Sequence, residues 1–315
     1  MLELAMAAEE AGFDAAWVGD GLLHEPRHDP LALLAAVSQR TSRIRLGTAC
    51  LRVSIRDPLT LAMAWVTLDH LSGGRTILGA CAGNAMDPGV RREFAVQGLD
   101  PRHRVARMEE AVAVLRQLWT TGRVDFAGRH FTYEGVAFES GTELEPLRTL
   151  QSPPPIWISS NPHLGGATDP ETAHAAVERA ADRIIRLGDG WLTCCRATHP
   201  EEVEEGVAAI RDAAAAAGRD PAEIAVGYST TVVLADSPDE ARASFAGFIA
   251  AYYPTFGDRV DLGDWGPVGT VDGVADWMRR FADAGVTHFV VRFGSMDPVG
   301  DLRRFARDVI PAVAR

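Results

Sequence analysis

The segment from Arg56 to Asn84, RDPLTLAMAWVTLDHLSGGRTILGACAGN, limits the possible folds more than any other part of the chain. Pro58 suits the first turn of a helix, where its missing N–H costs nothing. Leu61, Trp65 and Leu68, with Met63 and Val66 alongside, keep a helical period through Leu71. Ser72-Gly73-Gly74 ends that helix, because glycine accepts the positive φ that a helix terminus often needs. Thr76 to Cys81 is a short apolar run of the kind that forms a strand buried on both faces. It runs out through Gly79, Ala80, Cys81, Ala82 and Gly83, where the lack of side chains lets a ligand approach the backbone. A strand C-terminus inside a repeating strand–helix pattern is where α/β barrels place their chemistry.

The rest of the chain keeps that alternation. Strand-like runs lie near 15–19, 43–50, 75–82, 155–160, 190–195, 224–235 and 287–293, with helical patterns between them. Strands alternating with helices predict a parallel sheet with right-handed crossovers. Helix starts are marked at Thr198-His199-Pro200-Glu201 and at Ser237-Pro238-Asp239-Glu240, and Gly218 follows the alanine run 213–217 as a helix stop. No linker or repeat interrupts the pattern, so a single domain over 1–315 is expected. A closed (β/α)8 barrel needs eight strands. Only seven are legible and the chain opens inside a helical pattern, so the first strand is expected to be missing. Two excursions, 122–154 and 252–269, lack periodicity; long stretches of that kind are often lids or binding loops.

Composition removes several function classes. The formal net charge of −12 disfavours nucleic acid and anionic membrane as long-range partners. All 31 basic residues are arginine. Without a lysine amine, Schiff-base aldolases, pyridoxal-phosphate enzymes and Walker-type phosphate loops are excluded. The cysteines, Cys50, Cys81, Cys194 and Cys195, form no C-x-x-C, and the N-terminus lacks signal-peptide character, which predicts a reduced, cytoplasmic protein. The histidines show no H-x-H or H-E-x-x-H spacing, so no metal site is expected and a metal-dependent hydrolase or lyase is disfavoured.

The same segments carry a resemblance. A helix ending LDHLSGGR and leading into a strand with a glycine-rich exit resembles the luciferase-like family of flavin and deazaflavin oxidoreductases. Gly12-Phe13-Asp14 before Trp17-Val18-Gly19-Asp20 is similar to that family's first helix and second strand. Arg43 to Thr48 is similar to its third strand, and Pro154 to Ile158 to its fifth. Arg107, Glu109 and the Leu115–Trp119 helix resemble the segment after the fourth strand. Leu187 to Trp191, Gly285-Val286 before Phe289 to Phe293, and Val309-Ile310-Pro311 complete the series. The resemblance implies a luciferase-like TIM barrel, a small organic substrate, a homodimer and a bound flavin. With reduced FMN, fed by a separate flavin reductase, the reaction is a monooxygenation; with coenzyme F420, the alternative, it is a hydride transfer. A flavin-binding barrel without catalysis is a further reading.

Candidate residues follow from the strand ends. Thr48, Gly79, Ala80, Cys81, Ala82, Gly83 and Asn84 are expected beside the flavin ring, and Ser159, Ser160 and Asn161 at its phosphate. Asp20, His24 and His28 follow the second family strand and are candidate acid–base groups. Arg56, Tyr252, Tyr253, Trp265 and Arg292 are candidate substrate contacts. Two departures matter. Bacterial luciferases carry an arginine directly after the residue matching Cys81, and this chain has Ala82. Deazaflavin members often have histidine after the aspartate, and this chain has Gly21. The acidity of the chain is a poor match for the polyglutamate tail of coenzyme F420, which tips the sequence-based expectation toward FMN.

Overall fold

The computed structural model describes residues 1–23, 27–139, 147–162, 169–194, 199–252 and 265–314. They form a TIM-barrel-like α/β fold. The described residues group into two compact units, Asp14–Ser159 and Met1–Phe13 with Ser160–Arg315. Among them, no helix is long and apolar enough to cross a membrane. The chain opens in helix α1 (Leu2–Glu10), which belongs to the second of these units.

In the unit Asp14–Ser159, strands β1 (Ala15–Val18), β2 (Arg45–Thr48), β4 (Thr76–Cys81) and β7 (Ile156–Ser159) pair in that order, all parallel. The short β3 (Leu51–Arg52) lies against the exit of β4, with Leu51 opposite Ala80 and Arg52 opposite Cys81. Helices α2 (Pro30–Ser38), α3 (Pro58–Ser72), α4 (Pro88–Val96) and α5 (Arg104–Thr121) connect these strands. β1 and β7 are three places apart in the strand order, about 14 Å in a flat sheet. Yet the rings of Trp17 and Trp157 meet with centroids 5.0 Å apart, so the sheet curls. The curl places the Trp17 ring against Gly47, where a Cβ would run into it.

The LDHLSGGR run explains itself in this unit. Asp57 caps α3 by accepting from the Thr60 N–H at 2.8 Å, Pro58 takes the first turn, and Gly73 ends the helix at φ 68°. The Asp69 carboxylate is fully buried and accepts on both oxygens. Thr76 Oγ1 donates at 2.6 Å, Gln151 Nε2 at 2.8 Å, and the N–H groups of Leu150 and Gln151 at 2.7 and 3.1 Å. Arg75 spreads its guanidinium over the carbonyls of Ser72, Ile44, Thr41 and Ser38. One acid and one arginine thus join the α3–β4 turn to the segment before β7 and to the α2–β2 connection. Trp65 and Trp119 pack above, ring centroids 5.5 Å apart.

The other unit holds β8 (Gly190–Cys194), β9 (Ala225–Leu234), β10 (Val268–Gly269) and β11 (His288–Phe293). β9 pairs in parallel with β8 and with β11, and its last two residues pair with β10. Helices α6 (Pro170–Leu187), α7 (Pro200–Ala216), α8 (Pro238–Tyr252), α9 (Val271–Asp283) and α10 (Pro298–Arg304) complete it. Buried Tyr228 packs its ring 4.4 Å from that of Phe281.

All seven expected strands are present. The differences are local. The excursion 122–154 contains an antiparallel hairpin, β5 (Arg123–Ala127) with β6 (Thr132–Ala137), kinked between Val124 and Phe126. Its outward positions are largely exposed, so it has no apolar stripe to be read from sequence. α7 is capped at His199, whose N–H donates to Glu202 at 2.8 Å. Within the excursion 252–269, residues 253–264 lie outside the described residues, and β10 follows them.

Replacing Asp69 by Ala leaves buried N–H and O–H donors without acceptors. The expected loss is about 3 kcal/mol or more. Urea denaturation measures it, and a loss below about 1 kcal/mol would show that water or repacking replaces the carboxylate. Asp69→Asn, which keeps one acceptor, should lose less.

Candidate functional site

The strand exits of the unit Asp14–Ser159 gather most of the predicted residues. Thr48 is fully buried, and its hydroxyl donates to the Gly79 carbonyl and accepts from the Gly79 N–H, each at 3.1 Å. That hydroxyl locks β2 to β4 and is not presented to a ligand, which corrects the ring-side expectation for it. Gly79 and Ala80 are likewise inside β4. Cys81, Ala82 and Gly83 are partly exposed at the exit. Ser54 Oγ donates to the Ala82 carbonyl at 2.9 Å, and Arg104 Nε to the Gly83 carbonyl at 3.2 Å. Gly83 has φ 84°, and a Cβ there would press on Val90 and on Arg52 Cδ at 3.2 and 3.3 Å. Asn84 is exposed and its side chain accepts from the Met86 N–H at 3.0 Å, so it caps a turn.

Beneath this exit lies a group of charges that sequence reasoning missed in part. Arg52, on β3, is buried and pairs through Nη1 with Glu93 Oε2 of α4 at 2.8 Å. Glu93 Oε1 also accepts from the N–H groups of Leu22 and Leu23 at 3.1 and 2.7 Å. Asp20 accepts from the Arg52 N–H at 2.9 Å and from Arg56 through both Nη1 and Nη2, at 2.7 and 2.9 Å. Burial pushes the Asp20 carboxyl up, but the Arg56 hydrogen bonds and charge, with those of Arg52, outweigh it and hold the group below its ordinary range. Asp20 is therefore a clamp and not an open proton acceptor, and Arg56 spends its fork on Asp20. Neither Arg52 nor Glu93 stands out in sequence: Arg52 is one charge after an apolar strand, and Glu93 is one of three charges in a row in α4.

Two cysteines lie near the same exit, one just before β3 and one at the end of β4. Cys50, which follows the cis Ala49–Cys50 peptide, and Cys81 are both free thiols and partly exposed. The Cys81 donor lowers the Cys50 thiol, helped by the Ser159 hydroxyl and the Arg52 charge against burial and Asp20. Cys81 is raised well above the ordinary thiol value by its bond to Cys50 and by burial. Cys50 was legible only as a cysteine after a strand.

His28 lines a cavity of about 270 Å³ with Asp20, Gly21, Leu22, Arg27, Ile55, Arg56 and Gln97. His24 lies outside the described residues. Glu110 accepts from the N–H groups of Arg129, His130 and Phe131 and so caps the β5–β6 turn. Arg107 donates to the Ser54 carbonyl at 2.9 Å and lies over the Phe131 ring.

In the other unit, Asn161 Oδ1 accepts from Thr193 Oγ1 and the Cys194 N–H at 2.6 and 3.0 Å, and the Ser160 carbonyl accepts from Trp191 Nε1 at 2.8 Å. Arg292, on β11, donates through Nε and Nη2 to Thr231 Oγ1 at 3.1 and 2.8 Å. Its guanidinium sits 5.5 Å from the ring centroids of Phe248 and Tyr252 and 5.9 Å from that of Trp265. Trp265 is mostly buried against Phe245 and Phe248, while Tyr252 is exposed. Tyr253 lies outside the described residues.

The barrel-type α/β fold carries a glycine-bordered strand exit beside the buried Arg52. The model of the luciferase-like monooxygenase family matches residues 1–263, and the chain belongs to that family. It is a flavin- or deazaflavin-dependent oxidoreductase. It is 33% identical over 249 residues to an F420-dependent glucose-6-phosphate dehydrogenase of Mycolicibacterium gilvum, a match that covers 75% of this chain and 66% of that protein. An enzyme of the same description from Amycolatopsis mediterranei is 28% identical, over 99% of this chain and 93% of its own length. Among solved structures, the monooxygenase RslO1 of Streptomyces bottropensis superposes with a TM-score of 0.77 at 25% identity, covering 98% of this chain and 92% of that one.

Removing Arg56 strands a mostly buried Asp20. Arg56→Met is expected to cost about 3 kcal/mol at neutral pH. Because the folded Asp20 lies below its ordinary 3.8, its contribution is complete above that value and is lost as pH falls through the lower folded one. The gap between wild type and variant should therefore be flat from pH 5 to 8 and close only in strong acid. Chemical denaturation of both proteins across that range tests the sign.

Proposed function

We propose that this chain is a coenzyme F420-dependent oxidoreductase that transfers a hydride to or from a carbon of a small polar organic substrate. The observation that carries this reading is the likeness to F420-dependent dehydrogenases, one of which aligns over 99% of this chain. It reverses the expectation of FMN drawn from the net charge of −12. A summed charge acts over long range, whereas a ligand meets the local groups. Locally, Arg52, Arg56, Arg104 and Arg107 converge on the β3–β4 region.

The residues present fit a flat, anionic cofactor. The β4 exit offers backbone without bulk at Ala82 and Gly83, and Arg52 keeps Nε and Nη2 buried without a hydrogen-bond acceptor. Cys81, Ala82 and Gly83 are proposed as the backbone wall for the ring. Ser159 is retained as a proposed polar contact of that wall. When bound, the deazaflavin supplies a two-electron hydride carrier. The chain supplies the wall, the positive charge and the proton-handling group, for which His28 is proposed, since Asp20 is committed to arginine. Arg292 is proposed to meet a polar or anionic group of the substrate.

A second reading, a reduced-FMN monooxygenase acting with a separate reductase, rests on the likeness to RslO1 at 25% identity. Anaerobic titration with coenzyme F420 and with reduced FMN separates the two. The proposal expects at least tenfold tighter binding of coenzyme F420, and bleaching of its oxidised absorbance when sugar phosphates or secondary alcohols are supplied as hydride donors. Tighter binding of reduced FMN, with oxygen consumption on admission of air, would overturn it in favour of the monooxygenase.

A further inference from the structure

We infer that Arg27 is a specificity-determining residue at the β1 exit, where its guanidinium holds the phosphate or carboxylate group of an anionic substrate. That the anion belongs to the substrate rests on the hydride-transfer reading above; the oxyanion site itself does not. All the residues involved belong to the unit Asp14–Ser159. Trp17 fixes the direction. Its ring meets that of Trp157 across the curl of the sheet, so its side chain stands on the concave face. Side chains alternate along a strand, so position 19 faces the same way. The ladder runs on past β1, since the Ala49 N–H donates to the Val18 carbonyl at 2.9 Å. Position 19 is glycine, and Arg27 fills the space that a side chain would take: a Cβ would run into Nη1 and lie 3.3 Å from Cζ. The Arg27 guanidinium therefore lies over the concave side of the β1 exit.

The chain between β1 and α2 is anchored so as to present this side chain. The Arg27 N–H donates to the Gly21 carbonyl at 3.0 Å. Leu22 and Leu23 are tied through their N–H groups to Glu93. Asp29, two residues further on, caps α2 by accepting from the N–H groups of Leu31 and Ala32 at 3.0 and 2.9 Å. Arg27 lines the cavity of about 270 Å³ together with His28, Arg56 and Gln97, and Arg27 and His28 are both exposed. That volume is near the lower end for small-molecule sites.

The charge around this cavity favours an anion. Two carboxylates line it, and both are already engaged. Asp20 accepts from the Arg52 N–H and from both Nη groups of Arg56, and Asp29 accepts from the start of α2. Arg56 is thereby committed to Asp20, and recognition falls to Arg27. A guanidinium has five N–H donors, so it can keep a protein partner and still bind an oxyanion. Its planar fork matches two oxygens of a phosphate or carboxylate, which an uncharged analogue of the substrate does not offer. His28, the proposed proton-handling group, is the next residue and lines the same cavity. The group that fixes the substrate and the group that handles its proton thus come from one loop.

Gly19 makes the test specific. Gly19→Ala puts a methyl where the guanidinium lies, and the far end of an arginine moves aside at little cost, so this variant folds and displaces Arg27. Arg27 is exposed, so Arg27→Met also keeps the fold, which the urea midpoint checks. The full chain, with and without coenzyme F420, is titrated calorimetrically with glycerol 3-phosphate, glycerol and inorganic phosphate. Wild type is expected to bind both phosphates and not glycerol. Arg27→Met should weaken glycerol 3-phosphate by about tenfold or more, the worth of a charged hydrogen-bonded contact, and Arg27→Lys should lose less. Gly19→Ala should weaken it too, yet change nothing when added to Arg27→Met, because it acts through the guanidinium. Unchanged affinity in Arg27→Met overturns the inference, as does failure of the wild-type chain to bind either phosphate. Equal losses from Gly19→Ala with and without Arg27 also overturn it. If Arg27→Met weakens coenzyme F420 and leaves glycerol 3-phosphate alone, the anion belongs to the cofactor and the substrate assignment falls. If coenzyme F420 does not bind but glycerol 3-phosphate still needs Arg27, the oxyanion site stands and the cofactor reading fails.

Discussion

The buried guanidinium of Arg52 is the constraint on which the β4 exit depends. An arginine on a short strand inside a barrel-type unit is costly to desolvate, and it persists only if its partners are well placed. Its Nη1 meets Glu93 at 2.8 Å, and its own N–H holds Asp20, which in turn grips Arg56. Through Glu93 the same network collects the N–H groups of Leu22 and Leu23. The loop after β1, the strand β3 and the helix α4 therefore share one electrostatic knot. The glycine at position 83 is part of it, since any Cβ there would press on the Arg52 stem. A strand exit free of side chains and a buried positive charge are thus two consequences of one packing arrangement.

Acidic side chains at strand ends invite a reading as acids or bases, and in this protein two of them are structural. Asp69, before β4, satisfies donors from two segments of chain, Thr76 of β4 and Leu150–Gln151 before β7. Asp20, after β1, does the same at the exits with two arginines. In both cases the carboxylate replaces several separate backbone contacts with one group that accepts from all of them. A base must keep a lone pair toward the substrate. Asp20 commits its oxygens to Arg56 and the Arg52 N–H, so proton handling has to come from elsewhere.

Local structure was legible where local physics decides it. Asp57-Pro58 and Gly73 bracket α3, and the apolar run Thr76–Cys81 is the strand it was read as. The β5–β6 hairpin was not legible, because its residues are mostly exposed and its turn is held by the side chain of distant Glu110. The site was legible by position and not by role. Thr48 lies at the end of β2, but its hydroxyl is used up by Gly79, a partner 31 residues away that no local pattern reveals. Trp265 is expected from sequence as a substrate contact, and in the fold its ring packs edge-on against Phe245. Cys50, Arg52 and Glu93 gain their meaning only from being brought together.

The same distinction governs the cofactor. Net charge is a sum over the whole surface, and a sum of −12 hides where the arginines stand. Ala82, which removes the family's usual arginine after the β4 cysteine, looks in sequence like the loss of a phosphate clamp. In the fold, positive charge returns to that exit from three other directions: Arg52 from β3 below, and Arg104 and Arg107 from α5, which bond the Gly83 and Ser54 carbonyls. Charge at a site is a property of side-chain reach, and an arginine reaches about 7 Å from its own backbone. A residue missing from a motif therefore removes charge from a place only when no other side chain can reach it, and at this strand exit three arginines do.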